Sequence, residues 1–223
     1  MSTVAFVIEI DLRNDVYRRP LVTALERIGI GSGWRCADVG AGAGDVSIAL
    51  AEVVGAKGRV YAIDSDPLAR DAVAQAAASA GGAQVVAITQ AGEDLRLPEM
   101  VDLAFCRFLL LHVSDPLVVL KRMVEVTRPG GFVVAQEPIT SAGRVGGRAI
   151  TMPDARHADI GALLPELLVH TGCELIDAWA ESPAGFGPGP VTAYLAELTE
   201  VETLDEAIVL PPVVTVVGRR RSG

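Results

Sequence analysis

The chain is short of cysteine, of aromatic rings and of positive charge. Only Cys36, Cys106 and Cys173 occur in 223 residues. They are odd in number, widely spaced and set among apolar neighbours, so neither a disulfide framework nor a metal site is expected. Buried free thiols are. Aromatic residues amount to 4%, too few for a surface on which nucleic-acid bases stack. Acidic residues outnumber basic ones by 28 to 19, giving a formal net charge of -9. Such a chain repels a phosphate backbone, and no nucleic-acid partner is expected. Arg219-Arg220-Arg221 is the exception, read as a solvated basic end. No apolar run is long enough to cross a bilayer, so no membrane partner is expected either. The opening Met1 to Glu9 has no basic region and soon turns acidic, unlike a secretory signal, which points to a cytoplasmic protein.

What the chain does have is small and branched aliphatic residues. Half of it is apolar, mostly Ala, Val and Leu, which suits a parallel sheet covered by Ala-rich helices. The length suits one α/β domain. Short β-branched runs predict strands at about 35–39, 59–64, 84–88, 101–107 and 131–137. Helices are predicted at about 44–54, 67–80 and 116–127. Gly55, Gly58, Gly81, Gly82, Gly130 and Gly131 punctuate these units. Later a helix at about 158–171 leads to a strand from Cys173 to Glu181. The run Ser182 to Pro190 is too rich in Gly and Pro for a regular element. Helical segments at about 191–198 and 201–207 precede a closing strand, Val213 to Val217. Near the start, Val4, Phe6, Ile8 and Ile10 alternate with other residues, either a frayed end or an edge strand seeking a partner.

The chemistry-bearing feature is the turn Asp38-Val39-Gly40-Ala41-Gly42-Ala43-Gly44, between the first strand and the first helix. Glycines there let the chain turn tightly and let a ligand approach the backbone. Alone it is a weak signal. Asp45 stands where a dinucleotide fingerprint has its third glycine, and a carboxylate there repels a pyrophosphate. No Gly-Lys-Ser/Thr follows, which removes phosphate-cradling ATPases. Asp38, at the strand end, can face a cationic amino group. Asp64 ends the second strand, beside Ser65, where an acid takes both hydroxyls of a ribose. Asp66 competes for that role, but Pro67 after it reads as the first residue of a helix and Asp66 as its cap.

At this point the chain resembles the class I S-adenosylmethionine-dependent methyltransferases. Asp38 to Gly44 and Gly58 to Asp64 resemble their first two motifs. Ala91 to Pro98 resembles the acidic adenine-binding segment, Val101 to Pro116 the fourth-strand motif, and Arg128 to Phe132 the turn before strand five. The resemblance spans about 30–138 and is nearest in flavour to the quinone and antibiotic-tailoring enzymes. It implies a doubly wound α/β sheet of seven strands, the last antiparallel. A short N-terminal cap, 1–30, would precede a methyltransferase domain, 31–223, with an insertion at about 182–210. It also implies S-adenosylmethionine as cofactor, S-adenosylhomocysteine as product and a small-molecule acceptor. Asp38, Gly40, Ala41, Gly42, Gly44, Asp64, Ser65, Gly92, Glu93 and Arg107 would hold the cofactor. Where relatives often carry Asp, this chain has Ala91, so adenine contact falls to the Gly92 amide and Glu93.

Transfer of an activated methyl group is an in-line displacement that desolvation and alignment can drive, with a base optional. His112 and Glu137 are the candidate catalytic groups, both at the carboxyl edge of the sheet. His112 reads more readily as a half-buried histidine before a helix, and Arg107 either orders a substrate or cofactor carboxylate or pairs with a nearby acid. Arg144, Arg148, Arg156 and His157 border the acceptor side. Cys106 follows Phe105 rather than proline, unlike a cytosine C5 nucleophile. Cys106-Arg107-Phe108 also lacks the Pro-Pro-aromatic run of amino methylation, and the clustered acids of a magnesium site are missing. Two other readings stand beside methyl transfer: a cofactor-binding cyclase or binding module on the same fold, and a nicotinamide oxidoreductase, which Asp45 disfavours. The short cap also raises the expectation of a homodimer that closes the site.

Overall fold

The computed structural model describes residues 12–79, 83–150, 155–199 and 205–222. The alternation over 4–11 and the positions Gly81, Gly82 and 201–204 lie outside the described residues.

Four parallel strands form the first half of the main sheet: β1 (Arg35–Val39), β2 (Arg59–Asp64), β3 (Gln84–Thr89) and β4 (Val101–Arg107). Helix α1 (Arg18–Ile28) precedes them, and α2 (Asp45–Val54) and α3 (Pro67–Ser79) join them. Helix α4 (Pro116–Val126) leads into β5 (Thr127–Pro138), which pairs parallel to β4. Two two-residue strands follow, β6 (Arg144–Val145) and β7 (Arg148–Ala149), then α5 (Leu164–His170) and β8 (Glu174–Glu181). The rest is β9 (Ala184–Phe186), α6 (Pro190–Thr199), β10 (Ala207–Val209) and β11 (Val213–Arg219). The main sheet has seven strands in the order β3-β2-β1-β4-β5-β11-β8, and β11 runs antiparallel to both its neighbours. That is the doubly wound α/β sheet with an antiparallel last strand that the sequence predicts.

The central strands are buried on both faces, as a sheet under helices requires, while the edge strands β3 and β8 are partly and largely exposed. Along β1, Ala37 and Val39 pack with Val119, Leu120 and Met123 of α4. Cys36, one residue before them, packs on the other face with Leu21 and Leu25 of α1 and Leu50 of α2. Period-two side chains on strands and an apolar stripe on each helix thus build two cores about one sheet. Each wholly buried Leu contributes about 2 kcal/mol. The three thiols are free and buried, as composition predicts.

Local signals set the boundaries. The Asp115 side chain accepts from the Leu117 and Val118 N–H groups at 3.0 and 3.1 Å, and Pro116 opens α4. Asp66 takes the Leu68 N–H at 2.8 Å, the capping task predicted for it. The predicted helix over 158–171 is instead a 3-10 turn, Ile160–Leu163, followed by α5. Gly161 presses so closely on the end of β5 that a Cβ would lie 2.5 Å from the Glu137 carbonyl oxygen.

The run 182–190 is not wholly irregular. Ala184 to Phe186 pairs antiparallel with β10, and 207 begins a strand rather than ending a helix. This second sheet, β7-β6-β10-β9, draws in 144–149 as well as 182–210. Its core, with Tyr194, Leu195 and Ile208, includes Tyr17 and touches Phe108. Tyr17 clasps the pieces together: its hydroxyl donates to the Pro211 carbonyl at 3.0 Å, and its ring meets Phe108 and Tyr194 edge-on. Among the described residues no helix is long and apolar enough to cross a membrane.

Candidate functional site

Parallel strands end at one edge of the sheet, and the loops that leave them there make the ligand crevice of such folds. The glycine turn after β1 takes its shape from φ angles of +80° at Gly40, +52° at Gly42 and +97° at Gly44, a region glycine enters without penalty. A Cβ on Gly40 would sit 2.8 Å from the Leu109 side chain, and one on Gly44 would sit 3.2 Å from Val73. One on Gly42 would meet nothing within 4 Å. The first and third glycines therefore serve packing, while the middle one faces open space.

The turn is hooked to β2. The Gly40 and Ala41 N–H groups donate to the Ile63 carbonyl at 2.8 and 2.9 Å. The Asp64 Oδ2 accepts the Gly42 N–H at 2.9 Å, and Oδ1 accepts that of Asp66 at 2.9 Å. Asp64 is half-buried and Ser65 beside it exposed. Glu93 follows β3 and is tied to the fourth loop: Ser114 donates to its Oε1 from Oγ at 2.8 Å and from N at 3.2 Å. Partial burial opposes ionisation of Glu93, but these bonds hold its carboxyl below the usual range. Gly92 packs on Val119 and Val39, with room for no larger residue without a shift. Glycine turn, Asp64 and the Gly92–Glu93 turn thus lie along one edge of the sheet.

Asp38 is brought to the same edge but sealed. It is 1% exposed, and Ser47 Oγ donates to its Oδ2 at 2.6 Å. Burial pushes its pKa up to about 7, against the pull of Ser47. Its carboxylate therefore supports the turn from behind. Arg107 is also buried, with Nη2 donating to the Tyr17 carbonyl. Burial, helped by the neighbouring charge of Arg13, lowers its pKa to about 10.

Of the two candidate catalytic groups, only one reaches solvent. His112 is exposed, and burial of part of its ring, with Arg13 nearby, moves its pKa down. A neutral imidazole can accept a proton. Glu137, the other, lies within the fold. It is fully buried, Oε1 accepting the Leu109 and Leu110 N–H groups at 2.8 and 2.7 Å and Oε2 that of Leu111 at 3.4 Å. Burial raises its pKa to about 7 despite those bonds. These three bonds tie the side chain to the path of the fourth loop.

Sequence reasoning missed Arg13, Ser47, Ser114 and the role of Phe108. Phe108 is the one non-glycine residue with positive φ among those described, at +52°. Nothing in a phenylalanine signals that conformation. Ser47 was within reach, since a polar residue stands on the apolar face of α2 directly under a strand-end acid.

A groove of about 690 Å³ lies between α1 and α2, floored by Leu21, Leu25, Ile48 and Ala49. It touches Gly44, Asp45 and Arg107 but not Gly42, Asp64 or Glu93, so it is the back of the turn rather than the cradle.

Comparison with known proteins agrees with this geometry. Residues 37–135 match the family described as methyltransferase domain. The chain is 34% identical over 140 residues to the demethylmenaquinone methyltransferase of Geobacillus stearothermophilus, covering 61% of this chain and 55% of that protein. It thus spans about half the length of the relatives it matches. A SAM-dependent methyltransferase from Aquifex aeolicus superposes with a TM-score of 0.64 at 18% identity, over 90% of this chain and 89% of that one. The [4+2]-cyclase SpnF superposes with a TM-score of 0.65 at 18% identity, over 92% of this chain and 81% of that one. At such identities the structures speak for the fold. Sequence match, strand order and the glycine–acid edge concur: residues 37–135 match a methyltransferase domain, and the seven-stranded sheet has the fold of the S-adenosylmethionine-dependent methyltransferase it superposes on.

Proposed function

We propose that this chain methylates a small-molecule acceptor with S-adenosylmethionine. The observation that carries the reading is the Asp64 carboxylate at the carboxyl edge of β2, 2.9 Å from the Gly42 amide, beside a glycine whose missing Cβ leaves the space open. That set of groups fits an adenosyl sulfonium, which brings no phosphate to the turn. Asp64 and Ser65 suit the ribose, Gly92 and Glu93 the adenine, and the Gly40–Gly44 backbone the amino-acid end. Asp38 braces that end from the buried side. Asp45 at the start of α2 is out of place beside a pyrophosphate.

The bound cofactor supplies a methyl group on a positively charged sulfur that leaves as a neutral thioether. That methyl would pass to the acceptor's oxygen, nitrogen or carbon as the carbon–sulfur bond breaks, with the electron pair left on sulfur. This chain's part is to align the acceptor and exclude water. His112, neutral and exposed at the fourth loop, takes the acceptor's proton where one must leave. Glu137 contributes as a positioning residue, holding the Leu109–Leu111 amides.

The small second sheet with α6 forms the acceptor side of a domain running from about 31 to 223, and the preceding residues cap it. Buried free thiols suit the reducing cytoplasm, the acidic balance suits a partner other than nucleic acid, and a homodimer would complete the cap.

Calorimetric titration with S-adenosylmethionine and S-adenosylhomocysteine tests the cofactor, and absence of binding to either overturns the reading. Mass spectrometry of acceptors incubated with enzyme and cofactor tests the reaction. Binding with product of unchanged mass moves the chain to the cyclase reading. Light scattering that finds only monomers removes the dimer.

A further inference from the structure

Two guanidinium groups meet at the end of β4. The Arg13 guanidinium lies 5.0 Å from the centre of the Phe108 ring and that of Arg107 lies 4.9 Å from it. The Nε atoms of both are buried without a hydrogen-bond partner among the described residues. Neither takes part in an ion pair among those residues. Carboxylates do stand nearby, one on each element packed around the pair. Asp38 of β1 is held by Ser47, and Glu137 of β5 by three backbone amides. Asp45 of α2 takes the Asn14 amide.

An aromatic face attracts a guanidinium, but it does not satisfy an N–H group that burial has stripped of water. Two like charges in low dielectric also repel, and Arg13 itself lowers the pKa of Arg107. Such an arrangement persists where an anion completes it.

The geometry points to an anion-recognition site at the end of β4, where Arg13 and Arg107, resting on Phe108, take an anionic oxygen of the acceptor. This rests on the methyl-transfer reading and deepens it: the acceptor is a compact, largely apolar molecule bearing a carboxylate or an ionised hydroxyl. Phe108 and Leu109 offer its apolar body a surface, and His112 stands on the same loop. The planar fork of arginine suits two oxygens held side by side, so a carboxylate is the preferred form.

The test uses 2-naphthoate and 2-naphthamide, which share a shape and differ in charge, titrated into protein saturated with S-adenosylhomocysteine. Saturation fills the cofactor's own carboxylate position. The expected result is at least tenfold tighter binding of the naphthoate. Arg13→Gln removes that preference, leaving the affinity for S-adenosylhomocysteine and the melting temperature in place. Equal affinity for the two probes, or binding of neither, overturns the proposal. So does an Arg13→Gln variant that weakens S-adenosylhomocysteine but not methylthioadenosine, because the guanidinium then serves the cofactor's carboxylate. Should Arg13→Gln fail to fold, Arg13→Lys keeps charge without the fork, and its naphthoate preference should fall severalfold. An undiminished preference counts against the site. If the unaltered protein binds no S-adenosylhomocysteine, methyl transfer falls, while the preference for naphthoate is still read on the protein alone.

Discussion

Ser47 Oγ donates to Asp38 Oδ2 at 2.6 Å, and both side chains are sealed from solvent. One bond therefore joins the end of the first strand to the helix after the glycine turn. Burial keeps the Asp38 pKa at about 7 even with this donor. A carboxyl raised above its unfolded value of about 3.9 contributes stability below that value, and the contribution is lost as pH rises through the folded one. The unfolding free energy should accordingly fall between pH 4 and pH 7, by about 1.4 kcal/mol per unit at most from this group. Asp38→Asn, which keeps an oxygen for Ser47, should flatten the fall. Urea melts at pH 5 and pH 8 measure it, and an unchanged slope in the variant refutes the assignment. Ser47→Ala should cost about 1–3 kcal/mol, by leaving a buried acceptor unmet.

The glycines separate folding from binding. Gly40→Ala puts a Cβ 2.8 Å from Leu109 at a φ of +80° and should cost about 3 kcal/mol of stability. Gly42→Ala, at φ +52° with nothing within 4 Å, should cost only about 1 kcal/mol. Its methyl group nevertheless enters the space reserved for cofactor, so affinity for S-adenosylhomocysteine should drop well beyond that. Thermal melts beside calorimetry give both numbers. Equal stability losses at the two positions would contradict the division of labour.

The same contrast explains what was legible in the sequence. Alternating apolar runs and helix caps are local, and β1, β2, β4 and α4 lie where the pattern places them. Asp115 and Asp66 cap helices because the next residue is proline, a signal two residues long. The burial of Glu137 was not legible because its partners, the Leu109–Leu111 amides, come from a loop more than twenty residues earlier in the chain. Burial of an acid by backbone N–H groups leaves no mark in composition or spacing. Strand β10 was missed for a like reason: a three-residue strand exists only through β6 and β9 on either side of it. Arg13 and Phe108 meet across nearly a hundred residues, and the strained φ of Phe108 belongs to no residue preference.

Asp64 is half-buried and uses its oxygens on the Gly42 and Asp66 amides. Asp64→Ala should loosen the turn and remove the ribose partner together. A charge-assisted hydrogen bond is worth about 1.5–3 kcal/mol, so cofactor affinity should fall about 10- to 100-fold. The melting temperature should move little by comparison, since water can replace the carboxylate at this edge. Titration of both proteins with S-adenosylhomocysteine decides it; equal affinities remove Asp64 from the site.

Glu137 offers the sharpest test of positioning against catalysis. Glu137→Ala strips three buried N–H groups of their acceptor and should cost at least ~3 kcal/mol. Glu137→Gln keeps a carbonyl for Leu109 and Leu110, losing only the longer contact to Leu111, and should cost about 1 kcal/mol. The Gln variant should also lose its share of the stability that the acid contributes below pH 4 and surrenders as pH rises through about 7. If the side chain only positions the fourth loop, Glu137→Gln turns over acceptor at close to the unaltered rate with the pH–rate profile unmoved. A large loss of turnover with normal stability would instead return Glu137 to the reaction, with the proton passing through a group the folded chain hides from solvent.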